Sequence, residues 1–349
     1  MLIIFKKGYT EEQLNHAIDR VRAAKCEPHV IHGVYKVTIN VIGDDTQLDP
    51  EDFKKLEGVE DVISVSKPFP LVAREFKKED TIIQVRNVTF GPDNFIVMAG
   101  PCAVESEEQT IRIAKAVQKA GANVLRGGAF KPRSSPYAFQ GLGNEGLKIL
   151  ATARKETGLP IITEALDIRD LDAICEFTDI IQIGTRNMSN FPLLKEVGRT
   201  RTPVMLKRGM SATIDEWLMA AEYILRGGNT NVMLCERGIR SFDSKYTRNI
   251  VDLSAIPVIK NLSHLPIVID PSHGTGRKDA IEPMTLASLA AGAHSVMIDV
   301  HDDAENALCD GAQALKPHDF EKIMACLHSL APALGKTIPG AKPSVRNTV

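Results

Sequence analysis

At 349 residues, 44% hydrophobic and 25% charged, the chain is long for one simple core, and a large domain with a small companion is expected. A formal net charge of -2 gives no general drive toward nucleic acid or an anionic membrane, so any anion site must be local. No apolar run reaches membrane-spanning length, Met1 to Phe5 is followed at once by Lys6 and Lys7, and the six cysteines lack zinc-site pairing, which together point to a reduced, cytoplasmic protein.

Residues 1–70 read as strand, helix, strand, strand, helix, strand. Residues 2–5 form the first strand, and Thr10 with Gln13 makes a capping box for a helix whose Leu14, Ala17, Ile18 and Val21 share a face. Residues 29–32 and 35–42 alternate as strands around Gly33. Asp49 and Pro50 start a second helix, and Val62 and Val65 mark a closing strand. The βαββαβ order predicts a small ferredoxin-like α+β domain with no cluster of catalytic residue types. A linker is expected at 71–81, with its charges between Arg74 and Asp80, then a catalytic domain at 82–335 and a flexible C-terminal tail at 336–349.

Residues 82–90 look like a short strand that ends in the turn Gly91-Pro92-Asp93-Asn94. Strands are then expected at 95–99, 124–126, 160–164, 180–183, 204–207, 232–235, 267–270 and 295–299, with helical patterns between them. Examples are 107–120, which ends at Gly121, and 213–225, which ends at Gly227. Eight βα units over about 250 residues predict a (β/α)8 TIM barrel. A doubly wound sheet has a similar rhythm, but its polar residues would gather at one switch point. Here they follow nearly every strand.

In a barrel those strand ends meet at one mouth. In order they carry Cys102, Arg126 with Lys131 and Arg133, Glu164, Arg186, Lys207 with Arg208, Glu236 with Arg237, Asp270 with His273, and Asp299 with His301. Gly127 and Gly128 let the backbone of the loop after the second strand come close to a ligand, and Pro132 sets its direction between two cations. Guanidinium groups suit bidentate contacts to phosphate, and lysine serves as a movable charge. Alone, that loop reads equally as an anion site or as a solvated basic loop. The set Arg126, Lys131, Arg133, Arg186, Lys207 and Arg237 exceeds the needs of one phosphate and suggests either a ligand with a phosphate and a carboxylate or two phosphorylated ligands.

Cys102, His273, Asp299 and Asp310 could hold a divalent metal, for which mixed soft and hard donors favour Mn, Fe, Co or Zn over Mg. The same residues also allow Cys102 as buried filler, His273 as a phosphate donor in its loop and Asp310 as a helix cap beside Gly311. His301 is either a neighbour of that site or a packed residue. His16, His29, His32, His264, His294, His318, His328, Trp217 and the methionines read as structural.

The segments AGPCAVES, RGGAFKPRSSPYAFQGLG, IGTRNM, LKRG, LCERGIRSF, DPSHGTGR and VMIDVH occur in the chain in that order. Together they closely resemble 3-deoxy-D-arabino-heptulosonate 7-phosphate (DAHP) synthase over residues 82–335. The N-terminal module resembles the regulatory domain that some members carry. The resemblance implies a metal-dependent aldol-type condensation of phosphoenolpyruvate with erythrose 4-phosphate, the first step of the shikimate pathway, with phosphate released. By this likeness Arg126, Lys131, Glu164, Arg186, Lys207 and Arg237 bind phosphoenolpyruvate. Lys131, Pro132, Arg133 and Ser134 meet erythrose 4-phosphate, and Cys102, His273, Asp299 and Asp310 hold a divalent ion of the Mn, Fe, Co or Zn type. Lys131, Cys102 and His273 are the catalytic candidates.

The same likeness implies feedback inhibition by an aromatic amino acid, tyrosine or phenylalanine, and a homotetramer, with no nucleic-acid or membrane partner. Three positions depart from the pattern: Asp299 where glutamate is usual, Cys309 where serine is common, and Ser189 where glutamine is frequent. The alternatives are 3-deoxy-D-manno-octulosonate 8-phosphate synthase, which typically has an alanine-asparagine insertion in its lysine loop, absent from Lys131-Pro132-Arg133-Ser134, and a non-catalytic ligand-sensing protein.

Overall fold

The computed structural model describes the chain except for residues 34, 35, 44, 46, 47, 64–66 and 341–349, so the expectations at Tyr35, Val65 and most of the tail lie outside the described residues. Two compact units emerge, Met1–Lys78 and Glu79–Val349. In the first, strands β1 (Leu2–Phe5), β2 (Glu27–His32), β3 (Val37–Ile42) and β4 (Val59–Ile63) form an antiparallel sheet in the order β2-β3-β1-β4. Helices α1 (Glu11–Ala23) and α2 (Pro50–Lys54) complete the ferredoxin-like unit.

Local chemistry sets both helix starts. Thr10 Oγ1 accepts from the Gln13 N–H at 3.3 Å, and Gln13 Oε1 accepts from the Thr10 N–H at 3.0 Å, so α1 opens on a reciprocal box. The Asp49 side chain accepts from the Glu51 N–H at 2.9 Å, with Pro50 at the first helical position. Ile3, Phe5, Leu14, Ala17, Val21, Ile39 and Phe53 then share one core.

The second unit is a closed barrel of parallel strands: β7 (Ile96–Gly100), β8 (Val124–Arg126), β9 (Ile161–Ala165), β10 (Ile180–Ile183), β11 (Val204–Lys207), β12 (Val232–Glu236), β13 (Ile267–Ile269) and β14 (Ser295–Asp299). Strand β14 pairs with β7 and shuts the ring. Helices α3 (Glu107–Lys119), α4 (Asn144–Thr157), α5 (Leu171–Phe177), α6 (Phe191–Arg199), α7 (Ile214–Arg226) and α8 (Ala255–Leu262) follow the first six strands in turn. Strand β13 leads into α9 (Pro271–Thr275) and α10 (Lys278–Ala290), and β14 leads toward α11 (Pro317–Leu330). Every residue of these strands is buried, as expected when helices cover one face and the barrel core the other. Among the described residues no helix is long and apolar enough to cross a membrane.

One expectation is corrected here. Residues 82–90 form a hairpin of β5 (Ile83–Val85) and β6 (Val88–Phe90), with Val85 opposite Val88, instead of one strand. The turn is only Arg86-Asn87, and Arg86 adopts a φ of 50°, a conformation that tight hairpins need but arginine does not advertise. Ile83, Val85, Val88 and Phe90 pack with Ile96, Val124, Ile180 and Met205 at the N-terminal halves of the strands, so the hairpin plugs that end of the barrel.

Candidate active site

The C-terminal strand ends open onto a cleft of about 440 Å³. Arg126 is the last residue of β8, Lys207 the last of β11, and Arg237 follows β12; Lys131 and Arg133 come from the loop after β8 and Arg186 from the turn after β10. All six line the cleft, together with Pro132, Ser134 and Glu164. Arg208 does not share it: its Nη1 lies 3.1 Å from Glu236 Oε2 and 2.9 Å from Asp252 Oδ2, so this cation of the expected mouth is an internal tie.

Charges this deep persist only when paired. Arg126 Nη1 lies 2.8 Å from Asp299 Oδ1 and donates to the Pro101 carbonyl at 2.9 Å. Lys207 Nζ stands 2.5 Å from Asp270 Oδ2. Lys131 Nζ donates to the Cys102 carbonyl at 2.9 Å and to Cys102 Sγ at 3.1 Å. Burial opposes the charge on Lys131, but the neighbouring Cys102 and Cys309 outweigh it, and its pKa rises. For Arg237 burial prevails and the pKa falls from its ordinary value. Glu164 Oε2 accepts from Gln182 Nε2 at 3.1 Å. Its other oxygen depends on Gly184, where an added Cβ would stand 1.8 Å from Glu164 Oε1.

The four metal candidates meet on the floor. Cys102 Sγ is 3.3 Å from Asp310 Oδ2 and 3.8 Å from His273 Nε2. His273 Nε2 is 3.6 Å from Asp299 Oδ2 and 3.8 Å from Asp310 Oδ2. Donors held at about 2.0–2.3 Å from one ion stand roughly 3.3–3.8 Å apart, close to the spacings here, and the donor atoms of Cys102, His273 and Asp299 lie within 4.8 Å of one another, as do those of Cys102, Cys309 and Asp310. His273 Nδ1 faces Asp270 at 2.9 Å, which orients the ring and leaves Nε2 for the other donors. Burial works against a charged His273, but Asp270 and Asp299 outweigh it and raise its pKa to about 9. Asp310 is held below the usual carboxylate range: burial opposes this, but His273 and Arg248 prevail. It is not a helix cap, for it sits in a turn between β14 and α11 with a φ of 52°. His301 turns elsewhere, with Nε2 3.0 Å from Gln109 Nε2 and Nδ1 accepting from the Asp303 N–H at 3.0 Å.

Residues 75–335 match the DAHP synthetase I family, and residues 1–67 match the DAHP synthase ferredoxin-like domain. The chain belongs to the DAHP synthetase I family. It is 45% identical, over 96% of its own length and 99% of the relative's, to phospho-2-dehydro-3-deoxyheptonate aldolase from Thermotoga maritima. A crystal structure of DAHP synthase from Thermotoga maritima shares 44% identity with a TM-score of 0.78, covering 97% of this chain and 99% of that one. A 2-dehydro-3-deoxyphosphooctonate aldolase from Syntrophobacter fumaroxidans is 31% identical over 71% of this chain and 90% of that relative. The family and its curated member establish an enzyme of the DAHP synthase class.

Sequence reasoning missed three members of the site. Gln182, which holds Glu164, was visible as the one polar residue in the strand IIQI. Arg248, 3.3 Å from Asp310 Oδ1 at the cleft wall, comes from a loop without a local signature. Gln313, whose Nε2 donates to Asp299 Oδ2 at 2.7 Å, reaches the site only through the turn after β14.

Proposed function

We propose that this enzyme condenses phosphoenolpyruvate with D-erythrose 4-phosphate and water to give DAHP and inorganic phosphate. The observation that carries this reading is the convergence of six cations above one mixed sulfur, nitrogen and oxygen donor set. Arg126, Arg186, Lys207 and Arg237 hold the phosphate and carboxylate of phosphoenolpyruvate, with Glu164 among them. Pro132, Arg133 and Ser134 receive the sugar phosphate, and Lys131 stands between the two subsites.

A divalent ion held by Cys102, His273, Asp299 and Asp310 would supply a Lewis acid for the aldehyde oxygen. The π electrons of phosphoenolpyruvate form the new bond from C3 to the aldehyde carbon, and the carbonyl pair moves to oxygen near the Lys131 ammonium. The Glu164 carboxylate, held by Gln182, stabilises the positive charge developing at C2. Water then adds at C2 and gives one proton to the new alkoxide, and as the C2–O bond to phosphate breaks the remaining hydroxyl proton leaves with phosphate, giving the C2 ketone. Deep placement of the reacting groups keeps bulk water from hydrolysing phosphoenolpyruvate first.

On the same reading the protein serves the shikimate pathway in the cytoplasm as a homotetramer, and its N-terminal domain takes tyrosine or phenylalanine as a feedback inhibitor. The test follows phosphoenolpyruvate consumption with erythrose 4-phosphate or arabinose 5-phosphate, before and after chelation, with manganese added back, and with each amino acid present. Consumption with erythrose 4-phosphate alone, lost on chelation and restored by metal, is expected. Turnover of arabinose 5-phosphate instead would transfer the enzyme to octulosonate synthesis, and no turnover with either sugar would leave a ligand-sensing protein.

A further inference from the structure

Cys309 has no role in that scheme, yet it stands within the donor set. Its Sγ is 3.5 Å from Cys102 Sγ and 3.5 Å from Asp310 Oδ2, and the third side of the triangle, Cys102 Sγ to Asp310 Oδ2, is 3.3 Å. Two sulfurs and an oxygen bound to one ion at about 2.0–2.3 Å would stand roughly 3.5–3.8 Å apart. The three atoms therefore already outline one face of a coordination polyhedron that shares Cys102 with His273 and Asp299. Cys309 is buried, and Arg133 Nη1 lies 2.7 Å from its sulfur.

Asp299 is differently placed. Arg126 Nη1 lies 2.8 Å from its Oδ1 without a hydrogen bond between them, and Gln313 donates to its Oδ2 at 2.7 Å, so Asp299 joins the set from the Arg126 side while Cys309 joins it from the Arg133 side.

We propose that Cys309 is a further metal ligand beside Cys102, His273, Asp299 and Asp310, so that two sulfurs reach the ion and the site prefers thiophilic ions of the zinc and cadmium type over manganese. A second soft donor moves preference in that direction. The inference rests on the metal-dependent reading above, and its test separates the two. Reduced, metal-stripped full-length protein is loaded with cobalt(II), and the near-ultraviolet sulfur-to-cobalt absorption is recorded for the wild type, Cys309→Ser and Cys102→Ser.

Cys309→Ser is expected to lose about half of that band. Its zinc affinity should fall at least about tenfold, the lower end of what even outer partners of a metal site contribute, while manganese affinity changes little. X-ray absorption on the zinc-loaded wild type needs no variant and should count two sulfur neighbours. One sulfur neighbour, with the band unchanged in Cys309→Ser and lost in Cys102→Ser, would overturn the inference and leave Cys309 as a partner of Arg133. A wild type without any cobalt band would overturn the metal reading and this inference together.

Discussion

The two ends of the barrel are built from the same eight strands and solve opposite problems. At the N-terminal end the hairpin β5–β6 covers the ring with Ile83, Val85, Val88 and Phe90, all buried among apolar strand residues. At the C-terminal end Arg126, Lys207, Asp270 and Asp299 are just as deeply buried but carry charge. Burial of apolar groups adds stability, whereas burial of charge costs free energy that pairing recovers only in part. The contrast assigns stability to one end and chemistry to the other. Each end can be tested by a change that should leave the other nearly intact.

The largest effect is expected from Phe90→Ala at the plugged end. Phe90 is fully buried, and removing its ring should cost about 3–5 kcal/mol of barrel stability. Trp217 is the only tryptophan, is buried in α7, and donates Nε1–H to the Leu206 carbonyl at 3.1 Å, so its fluorescence reports on the barrel unit alone. Denaturant unfolding followed through Trp217 should show the loss, with kcat/KM near wild type well below the transition. A shift under 1 kcal/mol would mean that the hairpin is an ornament on a barrel closed by other means.

Lys131→Ala is the matching change at the open end, with the opposite signature. Removing this donor should lower kcat/KM by roughly 10²–10³-fold, as for other positioned charges. The Trp217 transition should scarcely move, since Lys131 lies in the loop after β8 and its Nζ donates to the Cys102 carbonyl and thiol, both on the site side of the barrel. Activity within a few fold of wild type would remove Lys131 from the reacting centre.

This division was legible to different depths. Strands β8, β10, β11 and β14 stand where apolar runs break into charge, because a strand buried on both faces has to be written that way. Their polar ends pointed to a shared mouth as soon as the fold was a barrel, which is why most of the cations could be named in advance. Arg208 was misplaced because pattern alone cannot tell a cation that faces a cleft from one that ties Glu236 to Asp252. The hairpin was missed because its turn rests on a left-handed arginine instead of a glycine. The approach of Cys309 to Cys102 spans 207 positions, and only the resemblance, in which Cys309 stands just before the last donor, set a second thiol near the site in advance.

The smallest effect separates site from scaffold within one residue type. Gly184 has a φ of -71°, so alanine fits its backbone, and the nearest obstacle is the Glu164 carboxylate, whose Oε1 stands 1.8 Å from the new Cβ. That oxygen is the end of a side chain and can swing away at little cost to folding. Its displacement from the cations should raise KM for phosphoenolpyruvate about tenfold, equivalent to about 1.4 kcal/mol. Gly198 is the control: a Cβ there would stand 2.7 Å from the Ile224 carbonyl oxygen, where helix α6 meets α7 and backbone cannot yield. Gly198→Ala should therefore weaken the Trp217 transition by about 1–3 kcal/mol and leave KM alone. If Gly184→Ala instead destabilises the barrel and spares KM, Glu164 is holding the fold together and the charge-stabilising role given to it fails.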